Sequence, residues 1–258
     1  MITLFSTCKP FRGIYEHIQY NALQSWSLLQ PRPNVILFGD DAGTAEAAQA
    51  FGFEHIPNVG SHKFKEQDLD GPTRHATKPS MSSTFNTAMK MTDGNLLVYV
   101  NADILLTNLT SEFLRVQQQL SRFLLVGQRY NVDVRDRLDF CQNWADPLRA
   151  LGKLHPPCGI DYIAFTKGLW KKLPNFALGY VGFDNYLVFN ALARHIPVVD
   201  GTKTILALHQ EHPFRKRKDA GDRHNLNTWG KEPWNTPSQV SDATWILDTR
   251  GVRQKVEL

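Results

Sequence analysis

The sequence has few of the features that would assign its class at once. It contains 3 cysteines among 258 residues, and their odd number and wide spacing give neither a disulfide framework nor a zinc-binding pattern. Its longest apolar runs, such as residues 123–126, are too short to span a membrane. Residues 1–5 carry neither a basic region nor a long apolar stretch, which is typical of a strand rather than a signal peptide. We therefore expect a protein of the cytoplasm, where thiols stay reduced.

The chain also has little excess charge. Lys and Arg number 29 and Asp and Glu number 25, which leaves a net charge of +4, and 42% of the residues are apolar. This composition is that of a globular protein and excludes disordered, collagen-like and coiled-coil chains. The mild positive charge suits an anionic small ligand, an anionic membrane surface and nucleic acid equally well, so it does not choose between them. No nucleic-acid partner is expected, because the one dense basic run, residues 215–218, stands alone.

Three common active-site motifs are missing. No G-x-G-x-x-G follows a strand, no G-x-x-x-x-G-K-[ST] occurs, and no G-x-S-x-G nucleophile elbow occurs. What is present is an alternation of apolar strand and helix patterns in the first hundred residues. Strands are predicted at 2–5, 35–38, 53–56 and 96–100, with helices at 14–26, 44–51 and 81–89 between them. This alternation predicts an α/β fold, a mostly parallel sheet with helices on both faces.

The second half of the chain is less regular. We expect strands at 123–127, 160–165, 197–199 and 204–208, and helices at 112–120, 167–173 and 183–194. Two polar stretches, 58–80 and 131–158, show no clear period and are expected to be long loops. The total length fits a single domain, 1–258.

Polar residues follow three of the predicted strands. They are Ser6-Thr7, Asp40-Asp41 and Asn101-Ala102-Asp103. In open α/β sheets, ligands bind outside the carboxyl ends of the strands, so we expect the functional site at this edge.

The tripeptide Asn101-Ala102-Asp103 resembles the D-x-D motif of nucleotide-sugar glycosyltransferases with the GT-A fold, which also follows an apolar strand. Four further blocks occur in order: LHPPCGIDY from Leu154, NFALG from Asn175, GFDNY from Gly182 and HQEH from His209. Together they resemble an uncharacterised bacterial and plant group of family-2-like GT-A glycosyltransferases, over residues 2–247. The chain departs from that group at Phe183, where the group has Trp, and at Cys158 and Ile160.

The resemblance implies a GT-A-type (Rossmann-like) fold in a single domain. Residues 1–105 would form a nucleotide-sugar-binding half, and residues 106–258 an acceptor-side half with a basic C-terminal loop. The implied activity is metal-dependent, inverting transfer of a hexosyl group from a nucleotide diphosphate sugar, with a UDP-sugar as the leading donor. The acceptor would be a hydroxyl of a glycan, a lipid or a small molecule. The implied cofactor is Mn²⁺ or Mg²⁺, since hard cations take oxygen ligands from carboxylates and phosphates.

Candidate roles can be given to individual residues. Asp184, at the start of a helix, resembles the general base of related enzymes. The expected metal ligands are Asp103 with His209 or His212. The residues expected to bind the donor are Thr7, Asp40, Asp41, Lys78, Asn86, Asn101 and Asp161. Each role has an ordinary structural alternative, such as a turn or helix cap for an aspartate and a solvated charge for Lys78.

Two other function classes remain open at this point, and a module that binds lipid or nucleic acid through the basic run ranks last, with steep salt dependence of binding as its mark. A sugar-1-phosphate nucleotidyltransferase shares the sheet type, but it needs a glycine-rich basic loop after the first strand, and residues 6–13 contain one glycine. A non-catalytic nucleotide- or sugar-binding protein is the second alternative, because Asn101 replaces the first carboxylate of the metal motif.

Overall fold

The computed structural model describes residues 1–68, 73–141, 143–212, 217–218 and 220–255. In chain order its strands are β1 (Ile2–Thr7), β2 (Asn34–Phe38), β3 (Glu54–Ile56), β4 (Ser61–Asp68), β5 (Thr73–Pro79), β6 (Leu96–Val100), β7 (Ile104–Leu106), β8 (Leu124–Val126), β9 (Tyr130–Val132), β10 (Lys153–Leu154), β11 (Tyr162–Thr166), β12 (Val198–Asp200), β13 (Ala207–Gln210), β14 (Arg217–Lys218), β15 (Trp245–Asp248) and β16 (Gly251–Gln254). Its α-helices are α1 (Ile14–Ser27), α2 (Thr44–Phe51), α3 (Met81–Met91), α4 (Leu109–Gln117), α5 (Ala145–Leu151), α6 (Phe183–Ala193) and α7 (Ala220–Trp229).

A nine-stranded sheet organises the molecule, in the order β16-β15-β12-β8-β11-β6-β1-β2-β3. Strands β6, β1, β2 and β3 are parallel, as are β8, β12 and β15, whereas β11 and β16 run antiparallel to their neighbours. All residues of β6 are buried, because helices cover the sheet on both faces. The predicted α/β fold with a mostly parallel sheet is therefore confirmed.

Successive side chains of the central strands point alternately into two apolar layers, one on each face of the sheet. On one face, Trp26 of α1 and Phe113 of α4 pack with Val98 of β6. On the other face, Phe85 of α3 packs with Phe5 of β1, their ring centroids 5.0 Å apart and nearly perpendicular. This arrangement confirms the expectation of helices on both faces of the sheet.

The segment 58–80, expected to be a long loop, instead contains a β-hairpin. Strands β4 and β5 pair antiparallel, with His62 opposite Lys78 and Lys65 opposite His75. Half-buried His62 and Phe64 alternate with exposed Lys63 and Lys65, which is the two-residue period of a strand covered on one face. The sequence pattern was missed because the inward-facing position at 62 is a histidine rather than an apolar residue.

Three other expectations need correction. Residues 167–173 form turns rather than a helix, and Gly168 adopts a φ of 77°, which starts a reversal. The stretch 131–158 contains α5 and the short strand β10. The strand expected at 204–208 begins later, at Ala207, and therefore includes His209 rather than ending before it. Among the described residues, none of the helices combines the length and apolarity that crossing a bilayer needs.

Candidate active site

A cleft of about 640 Å³ opens at the carboxyl ends of β1 and β6. It is walled by the loop after β1, by α1, by the end of the hairpin strand β5, and by the segments that follow β6, β8 and β13. Eight residues with predicted roles line this one cleft: Thr7, Asp41, Lys78, Asn101, Asp103, Asp161, His209 and His212. They come from six separate segments of the chain, and the common strand edge is what brings them together.

Asp103, His209 and His212 form a compact cluster in the cleft, with one ligand atom of each within 4.8 Å of the others. Strand pairing explains their meeting, because His209 of β13 lies opposite Ile104 of β7, next to Asp103. The Nε2 atom of His212 lies 3.3 Å from Oδ2 of Asp103, and that of His209 lies 3.7 Å from the same oxygen.

The cluster fits a divalent metal ion. The Oδ1 atom of Asp103 is buried and has no hydrogen-bond partner among the described residues, so one carboxylate oxygen is available for a cation. Burial raises the pKa of Asp103, but the hydrogen bond from His212 and the electrostatic influence of His209 and Lys9 hold it well below its usual range. Burial lowers the pKa of His209. The ionised carboxylate and the neutral imidazole are the forms that bind metals.

Asp161 lies deep in the cleft and is held on both carboxylate oxygens. Asn101 Nδ2 donates a hydrogen bond to its Oδ1 at 2.6 Å, and Arg129 Nη1 forms an ion pair with its Oδ2. The backbone N–H of Asn101 also donates to the carbonyl of Asp161 at 3.0 Å. The Nδ2 group of Asn101, one of the residues expected to bind the donor, thus donates to Asp161.

Asp184 is the second residue of α6, after Gly182, which has a φ of 92°. Its Oδ1 accepts a hydrogen bond from the backbone N–H of Asn185 at 2.9 Å, so it acts as a local cap. It does not line the cleft wall directly, but Phe183 contacts Tyr99, which does. Burial raises the pKa of Asp184 to about 7, an effect that the hydrogen bond from Asn185 reduces and the charge of Asp161 reinforces.

The structure leaves two of the expected donor-binding residues outside the cleft. Asp40 is exposed, whereas its neighbour Asp41 lines the cleft. Asn86 is exposed on α3 and does not line the cleft either. Burial raises the pKa of Asp41, and the charge of nearby Lys78 counters that rise. Residues 213–216, which include half of the basic run, lie outside the described residues.

Sequence reasoning missed Arg129, Tyr99 and Lys9, which all line the cleft. Arg129 follows strand β8 and so obeys the same rule that singled out the other strand ends. Tyr99 lies within the apolar strand pattern of residues 96–100, which gives no sign of a functional role. In the fold, burial and the carboxylates of Asp103, Asp161 and Asp184 raise the pKa of its hydroxyl. Lys9 stands 4.3 Å from the ring centre of Tyr15.

No family model matches the chain, and no curated protein matches it either. Several solved structures are similar to the chain. The chain is similar to a mycobacterial protein at 17% identity and a TM-score of 0.51, over 89% of this chain and 73% of the other. Glucosyl-3-phosphoglycerate synthase of M. tuberculosis is 17% identical, with a TM-score of 0.49 over 89% and 79%. S. aureus TarS 1-349 is 11% identical, with a TM-score of 0.37, and the chain spans only 38% of its length.

At these identities the likeness concerns the fold. The chain is a single domain with a mixed α/β fold built on a large, mostly parallel sheet. The M. tuberculosis synthase has been crystallised with Mn²⁺, UDP and glucosyl-3-phosphoglycerate, and these ligands belong to that protein.

Proposed function

We propose that the protein is a divalent-metal-dependent glycosyltransferase that moves a sugar from a nucleotide diphosphate sugar to an acceptor hydroxyl. The observation that carries the proposal is the cluster of Asp103, His209 and His212. It lies in a cleft of about 640 Å³, at the edge where sheets of this type bind ligands. A UDP-sugar is the leading donor, and residues 1–105 would supply most of its binding surface.

In this proposal, a divalent ion held by Asp103, His209 and His212 would bind the diphosphate end of the donor. Asp103 contributes a carboxylate oxygen, and His209 and His212 contribute imidazole nitrogens. A bound Mn²⁺ or Mg²⁺ ion would offset the negative charge that grows on the departing diphosphate. Lys78 also lines the cleft and would add a positive charge for the diphosphate.

The other end of the donor would lie against Thr7 and Asp41. Thr7 ends β1, and Asp41 follows β2, so both face the cleft from neighbouring parallel strands. A carboxylate at this position can accept hydrogen bonds from an imide or a ribose hydroxyl. Asp161 is already bonded on both oxygens, so we assign it to the cleft wall rather than to direct contact with the donor.

Asp184 is the proposed general base for the acceptor hydroxyl. A pKa of about 7 lets the carboxylate take a proton at neutral pH and release it again. The enclosed position that raises the pKa also limits access of water to this carboxylate. Deprotonation of the acceptor on the side away from the diphosphate corresponds to an inverting reaction.

The hairpin would cover the bound donor. Residues 77–79 of β5 line the cleft, and Lys78 Nζ lies 6.0 Å from the ring centre of Tyr180. Phe64 of β4 contacts the Tyr180 ring edge-on at a centroid distance of 5.3 Å. A cover packed in this way excludes water and so limits hydrolysis of the donor.

The test is a screen for turnover of nucleotide sugars with Mn²⁺, Mg²⁺ or EDTA, using the wild type, Asp103→Ala and Asp184→Asn. Asp40→Asn is the matched control, since Asp40 is exposed outside the cleft. We expect metal-dependent release of nucleoside diphosphate by the wild type and the control, and a loss of about 100-fold or more in both site variants. Full activity in both variants would refute the assignment. Nucleotide binding without metal dependence or turnover would identify a binding protein instead.

A further inference from the structure

Arg129 and Asp161 form a buried ion pair to which the proposed reaction gives no chemical role. The Asp161 side chain is only 7% exposed and that of Arg129 only 18%. Arg129 is fixed a second time, because its Nε donates a hydrogen bond to Oδ1 of Asn131 at 3.0 Å. Asn101 completes the network by donating to the other oxygen of Asp161. Both charged groups are therefore held rigidly at the cleft wall.

The pair lies in the wall of the cleft that also holds Asp103, His209 and His212, since Arg129 and Asp161 both line that cleft. Its charges also act on Asp184: burial has the dominant effect and raises the pKa of that carboxyl, Asp161 raises it further and Arg129 lowers it. A single ion pair thus borders the proposed metal site and influences the proposed base.

We propose that Arg129 is a positioning residue for the transfer step. It anchors Asp161 and, through Asn101, the turn that carries Asp103, and its positive charge offsets the effect of Asp161 on Asp184. This inference rests on the proposed function in so far as Asp184 acts as the base. The geometry of the network does not depend on that role.

Loss of Arg129 and loss of the charge of Asp161 should have opposite effects on the titration of Asp184. Without Arg129, Asp161 would be a buried carboxylate without its cation, which lowers the stability of the fold. Its uncompensated negative charge would then act on Asp184. Without the charge of Asp161, Arg129 would present an uncompensated positive charge to the same carboxylate. Opposite charges favour the ionised form of Asp184 and like charges disfavour it. The two single variants should therefore shift its titration in opposite directions.

Other groups near Asp184 do not reproduce this pattern. The hydroxyl of Tyr99 stays neutral in the relevant range, since burial raises its pKa. The backbone N–H of Asn185 stabilises the carboxylate in every variant. Neither group changes charge when Arg129 or Asp161 is substituted.

The experiment is a ¹³C NMR titration of aspartate carboxyl groups in the full chain, without donor or metal. The resonance lost in Asp184→Asn identifies Asp184. The titrations compare the wild type, Arg129→Gln, Asp161→Asn and the double variant Arg129→Gln/Asp161→Asn. Arg135→Gln is the control, because Arg135 forms an exposed pair with Asp133, with 75% of its side chain accessible. The pH profile of donor turnover is recorded on the same proteins.

We expect the Asp184 midpoint to rise by about one unit in Arg129→Gln, to fall by a similar amount in Asp161→Asn, and to return near the wild-type value in the double variant. Should Arg129→Gln fail to fold, the Asp161→Asn and double variants still carry the comparison. A midpoint that stays unchanged in the variants that fold overturns the inference. Titration shifts as expected with an unchanged turnover profile would leave the network intact and refute Asp184 as the base.

Discussion

The Nε2 atom of His212 lies 3.3 Å from Oδ2 of Asp103, although 109 positions separate the two residues in the chain. The contact joins the turn after the central strand β6 to the end of β13. Both elements reach it because β13 pairs with β7, which follows that turn directly. The proposed metal site is therefore built on strand ends, which hold ligands more firmly than loops do.

The first prediction concerns metal binding and its selectivity. Two imidazoles and one carboxylate favour a transition ion over Mg²⁺, which prefers oxygen ligands. In calorimetric titrations we expect Mn²⁺ to bind at least about tenfold more tightly than Mg²⁺. His209→Asn and His212→Asn should each weaken Mn²⁺ binding by about 10- to 100-fold. His195→Asn is the control, since His195 is exposed with a φ of 53° that asparagine tolerates. Equal affinity for both ions would contradict the assignment of two histidine ligands.

The second prediction concerns Asp184 and stability. The folded-state pKa of Asp184 is raised to about 7 from an unfolded value near 3.8, so stability is lost as the pH rises from the lower value through the higher. Asp184→Asn removes that loss while its side-chain oxygen can still cap Asn185. We expect the variant to be more stable than the wild type at pH 8, by up to about 4 kcal/mol, and similar at pH 4.

Thermal unfolding at the two pH values measures this difference, and turnover of the same samples should be strongly reduced. A gain of stability with a loss of activity is the pattern of a strained functional group. If Asp184→Asn is less stable than the wild type at pH 8, the raised pKa and the proposed base are both in doubt.

The third prediction is that restoring the usual acidic residue at position 101 is harmful. Asn101→Asp would place a carboxylate oxygen where Nδ2 now lies, 2.6 Å from Oδ1 of Asp161. Two carboxylates at that distance cannot both ionise cheaply, so one pKa rises and stability falls as the pH increases. We expect a loss of about 1–3 kcal/mol at pH 8 and a smaller loss at pH 5, measured by denaturant unfolding.

Asn131→Asp is the matched control for that change. It adds the same charge within the same network, but next to the guanidinium of Arg129. It should be neutral or stabilising at pH 8. The double variant Asn101→Asp/Asp161→Asn should recover most of the stability, and its failure to do so would show that the Asn101–Asp161 contact is not the cause.

The fourth prediction concerns the packing of the hairpin. A Cβ atom at Gly221 of α7 would lie 2.3 Å from the ring of Tyr180, which contacts Phe64 in β4. Gly221→Ala should therefore displace the Tyr180 ring, cost about 1–3 kcal/mol of stability and raise the KM for the donor. Asn227→Ala, at an exposed position of the same helix, should change neither quantity. An unaltered KM in Gly221→Ala would argue against a covering role of the hairpin.

The sequence predicts the central sheet well and the surrounding parts less well. Strands β1, β2 and β6 are continuous apolar runs, and such runs arise wherever both faces of a sheet are covered. The hairpin was missed because His62 occupies an inward-facing position. His209 was expected after a strand and lies within one, because residues 204 and 205 are held in a turn by hydrogen bonds to the carbonyl of Gly201.

The sequence predicts those site residues that directly follow a strand. It does not predict those whose role depends on a contact with a residue far away in the chain. Asp103 and Asp41 come directly after apolar runs. The part played by Arg129 depends on Asp161, 32 positions further along the chain, and no local pattern links the two. The engagement of Asn101 with Asp161 is likewise a property of the folded chain alone.

The most direct test of the account is the position of the metal and donor in a crystal of the protein grown with Mn²⁺ and a UDP-sugar. Anomalous scattering from manganese locates the ion independently of any assumed chemistry. We predict a peak about 2.0–2.3 Å from Asp103 Oδ1 and from the nearest nitrogens of His209 and His212, with the diphosphate on its open side. A manganese peak elsewhere, or a donor bound outside this cleft, would contradict the account.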